Sequence, residues 1–160
     1  MSQFDLPAVS RIQRECYSES ILESVDSFSA KLSASPDFCF VAVQGQLVVG
    51  CVVSLPWIFG EIPKLDSAEY SVPPEADSLC IHDMAVTPSA REVGAAKHML
   101  NTVLGTANHM GYKQVFLVAI QGAESYWMRH GFKVVPAGKS LKRELSAYGQ
   151  EAVYMVKGED

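Results

Sequence analysis

The chain has 160 residues, 48% of them hydrophobic and 19% charged, with a net charge of −5. This is the composition of a globular chain long enough to bury a core, read as one domain over residues 1–160, and it argues against disorder. No stretch concentrates Lys and Arg, which argues against a nucleic-acid partner.

The first ten residues, MSQFDLPAVS, have neither a basic start nor an apolar run, so a cytoplasmic location is expected. From Leu6 to Ser35, apolar residues such as Ile12, Cys16, Ile21, Val25, Phe28 and Leu32 recur at mixed helical spacings. They predict one or two helices, broken near residues 18–20 and ended by Ser35-Pro36-Asp37. FCFVAVQGQLVVGCVVSL then gives two β-rich runs around Gln44-Gly45-Gln46, a hairpin signal. Its apolar continuation is too short to span a bilayer and contains a proline, so no membrane partner is expected.

Residues 56–78 carry four of the eight prolines and no clear period. A loop of this length in a compact chain is often functional. Its five carboxylates, Glu61, Asp66, Glu69, Glu75 and Asp77, face only Lys64, so most of the net negative charge sits here. That suggests an acidic rim attracting a cationic small-molecule amine. The simpler reading is a solvated loop stiffened by proline.

LCIHDMAV (79–86) reads as a strand and 91–111 as a helix, with Val93, Ala96, Leu100, Val103 or Leu104, and Ala107 on its inner face. QVFLVAI (114–120) reads as a second buried strand. A helix between two buried strands predicts a right-handed parallel crossover. A short helix GAESYWMRH (122–130) stopped by Gly131, a strand FKVVPA, a weak helix LKRELSAY and a last strand AVYMV complete the chain. The fold class is therefore α/β or α+β with a mixed sheet.

Four cysteines, Cys16, Cys39, Cys51 and Cys80, form no Cys-x-x-Cys pair, and the four His show no metal-ligand spacing, so no metal is expected. The segment Arg91-Glu92-Val93-Gly94-Ala95-Ala96 opens the expected helix. Its first-turn amides, the Gly94 backbone and the Arg91 charge suit a phosphate or pyrophosphate. It is neither a P-loop nor the Gly-x-Gly-x-x-Gly dinucleotide fingerprint. Strand alternation places His82 with Cys80 and Met84, and Asp83 on the opposite face with Ile81, unless a bulge intervenes. A histidine in such a strand is either a hydrogen-bonded sheet residue or a base. Cys80 and His82, parallel on one strand, make a poor nucleophile pair.

Arg91-x-x-Gly94-x-Ala96, following HDMAVTPS, resembles the pyrophosphate loop and preceding strand of the GNAT superfamily of N-acetyltransferases. AESYWMRHGFKVV is similar to that family's later helix and strand. The resemblance implies a mostly antiparallel sheet with a central parallel pair, flanked by helices, and acetyl-CoA as co-substrate. It implies that Met84, Ala85 and Val86 pair with the pantetheine arm, that the amides of Arg91 to Ala96 hold the pyrophosphate, and that His82 is the general base. The family's thiolate-protonating Tyr falls at Trp127 here, which then walls the thioester pocket, leaving neighbouring Tyr126 as the candidate acid. Glu92 stands where the family often has Gly. The implied reaction is direct acetyl transfer to a primary amine of a small molecule or an exposed amino group, with a homodimer possible. The rival is a weak or inactive CoA-binding module of the same fold.

Overall fold

The computed structural model describes residues 1–158. Helix α1 (Leu6–Cys16) carries Pro7 in its first turn, where a missing N–H costs nothing, and buries Leu6, Val9 and Ile12. Helix α2 (Val25–Ala34) begins at Ser24, whose hydroxyl accepts from the Ser27 amide at 3.2 Å. A single-turn 3-10 helix, Glu19–Ile21, lies in the break between them.

Strands β1 (Cys39–Gln44) and β2 (Leu47–Trp57) form the expected hairpin around Gly45-Gln46, with Gly45 at φ 63°. The long loop leads to β3 (Ser78–Val86), antiparallel to β2. Helix α3 (Ala95–His109) crosses to β4 (Val115–Ala119), which lies parallel to β3. Helix α4 (Glu124–Arg129), β5 (Lys133–Val134), α5 (Lys139–Leu145) and β6 (Val153–Lys157) follow. Among the described residues six strands lie in the order β1-β2-β3-β4-β6-β5, with one parallel pair at β3–β4. This is the mixed, mostly antiparallel sheet expected. The α1–α2 pair covers one face of β1–β3 around Cys51, Val53, Leu55 and Ala85; α3 covers the other around Val52, Leu79, Ile81 and Val86.

Two expectations are corrected. The helix does not begin at Arg91: residues Pro88–Val93 form a 3-10 helix, Gly94 takes φ 78°, and α3 starts at Ala95. The α-helical period therefore starts after the left-handed Gly94, and Val93 is 54% exposed instead of lying on the inner face. FKVVPA shortens to the two residues of β5, ahead of Pro136, which lacks the donor a further ladder bond needs.

Candidate functional site

Strands β3 and β4 pair only from Leu79–Ile81 to Val115–Leu117. Beyond that point β3 stays with β2, β4 stays with β6, and the two diverge. The opening holds a cavity of about 670 Å³, walled by the second half of β3, the end of β4, the end of α1 and helix α4. It brings together His82, Met84, Ala85, Val86, Arg91 and Ala96, and from α4 Tyr126 and Trp127. Glu92, Val93, Gly94 and Ala95 do not line it. Glu92 and Val93 face solvent and Ala95 is buried in the sheet-facing core.

The β2–β3 register decides what faces the cavity. Val53 pairs with Asp83 and Ser54 with Ile81, so His82 is the unpaired residue of a β-bulge. Before the bulge Leu79 and Ile81 face α3; after it Met84 and Val86 do. Asp83 and Ala85 turn to the α1–α2 face, where Asp83 meets Tyr17. The bulge named as the exception to strand alternation is thus present here. Met84 lies opposite His82, and Asp83 joins it.

The His82 side chain is 2% exposed, and its Nε2 lies 2.7 Å from Glu23 Oε1. Glu23, 3% exposed, sits in the break between α1 and α2 and is fixed by a reciprocal pair with Gln13. The Gln13 amide donates to the Glu23 carbonyl at 2.8 Å, and the Glu23 N–H donates to Gln13 Oε1 at 2.9 Å. Its Oε2 accepts from buried Lys31, from Ser27 Oγ at 2.9 Å and from the Asp66 amide at 2.7 Å. Burial works to raise the Glu23 pKa, but His82 and Lys31 with their hydrogen bonds prevail and hold it far below the usual carboxylate range. An ionised Glu23 only accepts, so in neutral imidazole the proton sits on Nε2. Nδ1 then has the free lone pair, with no hydrogen bond among the described residues, and His82 lines the cavity.

Asp83 is 9% exposed, and burial pushes its carboxyl up to about 6, with nearby Glu23 adding to the rise and the Tyr17 hydrogen bond, His82 and Lys31 opposing it. Tyr17 Oη lies 2.6 Å from Asp83 Oδ1 and 3.0 Å from the Met84 carbonyl. The Cys16 thiol contacts the Val86 carbonyl at 3.3 Å. On the far wall, the Tyr126 hydroxyl is buried without a partner, and burial raises its pKa. Trp127 is 7% exposed and packs on Phe132, which makes it core as well as wall. Cys80 is buried with Phe116 and Tyr154, and burial pushes its thiol far up, so it is no thiolate nucleophile.

The proline-rich loop contributes Leu65 to the wall and none of its carboxylates. The Asp66 side chain accepts from the Ser24 amide instead, at 2.8 Å. Sequence reasoning missed Glu23, Lys31, Tyr17 and Gln121. Gln121 clasps the rim, donating to the Cys16 carbonyl at 3.1 Å and accepting from the Ser18 amide at 3.0 Å. No spacing signal ties these residues to β3; only the long-range contacts do. Among the described residues no helix is long and apolar enough to cross a membrane.

The profile of the acetyltransferase (GNAT) family matches residues 6–132. Among solved structures, Ard1 from Thermoplasma volcanium superposes with a TM-score of 0.73 at 14% identity, over 99% of this chain and 93% of that one. The PaiA N-acetyltransferase from Thermoplasma acidophilum, in complex with coenzyme A, gives 0.70 at 15% identity over 99% and 96%. The GphF GNAT-like decarboxylase, in complex with isobutyryl-CoA, gives 0.72 at 14% identity over 99% and 96%. At such identities the likeness is one of fold. No curated protein matches the sequence significantly.

Proposed function

The chain belongs to the acetyltransferase (GNAT) family, and from that premise we propose that it moves the acetyl group of acetyl-CoA directly to a primary amine in a ternary complex. The observation that carries this reading is the Glu23–His82 pair, which fixes an imidazole in the wall of the cavity between β3 and β4. Acetyl-CoA supplies an activated acyl group on a thiol that leaves readily.

The amine must lose a proton to attack, and His82 Nδ1 takes it, while Glu23 stabilises the imidazolium that forms. The new C–N bond replaces the C–S bond, and Tyr126 offers its unpartnered hydroxyl proton to the departing sulfur. Trp127 walls that end of the cavity. Arg91 and the amides around Gly94 and the first turn of α3 suit the pyrophosphate, with the exposed Glu92 turned to solvent. The Met84–Val86 edge suits the pantetheine arm. There the arm displaces the Cys16 thiol, a weak donor, from the Val86 carbonyl.

The test is His82→Ala. Turnover should fall by about 10²-fold or more, the range of a lost general base, with acetyl-CoA affinity held within a few-fold. Unchanged turnover across pH removes His82 from the mechanism.

A further inference from the structure

The cavity holds two buried carboxyls, and they differ in one respect. Glu23 has partners on both oxygens: His82 on Oε1, and Lys31, Ser27 and the Asp66 amide on Oε2. Asp83 has Tyr17 on Oδ1 and nothing on Oδ2, which is buried and unpaired. Four side-chain polar atoms among the described residues are in that condition: Ser54 Oγ, Trp57 Nε1, Asp83 Oδ2 and Tyr126 Oη. Only Asp83 and Tyr126 line the cavity.

A buried oxygen without a donor is costly, and native structures keep few of them. Tyr17 cannot cover the deficit, because its one proton already faces two acceptors, Asp83 Oδ1 and the Met84 carbonyl. The charges around the cavity point the same way. Ionised Glu23 is paired with Lys31 and His82, whereas Asp83 has no cation among its hydrogen-bond partners. The bulge at His82 places this carboxyl on the same face as the imidazole.

We propose that Asp83 Oδ2 is the docking atom for the acceptor, taking an N–H of a substrate that arrives as an ammonium. This rests on the acyl-transfer reading and adds to it the residue that selects the acceptor. The substrate is a protonated amine, not an alcohol: of its three N–H protons one stays on the nitrogen beside Asp83, one passes to His82 Nδ1 before attack, and the one released as the C–N bond forms replaces the proton that Tyr126 gives to the departing sulfur. The acidic residues of the long loop take no part in that choice.

The test titrates the full-length wild type and Asp83→Asn with n-butylamine, n-butanol and butyrate at pH 7.5, followed by NMR chemical shifts, with CoA affinity measured on both proteins. Wild type should bind butylamine at least about 10-fold more tightly than butanol or butyrate, since one charged hydrogen bond in a buried site is worth that much. Asp83→Asn should lose that margin and keep CoA affinity within about twofold. Equal affinity for amine and alcohol in wild type, no amine binding, or full amine affinity in the variant each overturns the proposal. The wild-type comparison stands alone if the variant does not fold. The two readings fail separately. Amine selectivity without acyl transfer removes the enzymatic reading, and amine acetylation with an unchanged KM in Asp83→Asn removes this one.

Discussion

Asp83→Asn should stabilise the protein increasingly as pH rises. The carboxyl is raised from an ordinary value of 3.8 to about 6, first by burial and then by Glu23, against the Tyr17 hydrogen bond, His82 and Lys31. Cys51 and Cys16, both thiols, also face it. A raised carboxyl means that the fold favours the neutral form. Its contribution is complete below about pH 3.8 and is lost as pH climbs through 6. Each pH unit between the two values is worth about 1.4 kcal/mol, so roughly 2–3 kcal/mol disappears between pH 4 and pH 7.5. Asparagine has no such proton to lose. Urea unfolding followed by the fluorescence of Trp57 and Trp127 should therefore show the difference between variant and wild type widening by that amount over this range. At pH 7.5 it corresponds to several degrees in Tm for a chain of this size. The loss of Glu23 ionisation at low pH is common to both proteins and drops out of the difference. Parallel pH profiles would refute the reasoning, because they mean that Asp83 is ionised in the fold as easily as in water.

Tyr126→Phe removes a buried hydroxyl that has no partner, so stability should stay within about 1 kcal/mol or rise slightly, while turnover falls. Stopped-flow turnover beside thermal unfolding checks it, and full activity would remove Tyr126 as the acid. Gly94→Ala meets nothing nearer than His98 Cδ2 at 3.9 Å, so its cost is the left-handed backbone, about 1–2 kcal/mol. If the loop holds a pyrophosphate, CoA affinity by calorimetry should fall about 10-fold or more; an unchanged Kd counts against the loop.

The element order was legible in the sequence because long apolar periods and turn residues mark it. β3, α3 and β4 announce themselves by pattern, and the Arg91–Ala96 loop by its glycine and charge. What the pattern hides is the departure from regularity. Nothing in LCIHDMAV marks a bulge, since no Gly or Pro interrupts the strand, and so alternation puts Asp83 on the wrong face. The start of α3 was misread because Gly94 turns left-handed, which delays the helical period by four residues. Glu23 lies 59 residues from His82 and joins it only when α1 and α2 close over the sheet. The charge of the long loop was visible, but its destination was not: Asp66 caps the start of α2 instead of rimming the cavity.

The most direct test of the account is the acetylation of a panel of primary amines by the wild-type protein with acetyl-CoA, beside His82→Ala. The account predicts N-acetylated product from wild type, formed at least about 10²-fold more slowly by the variant at equal acetyl-CoA affinity. Acetyl-CoA binding with no product from any amine, or product formed equally fast by both proteins, contradicts it.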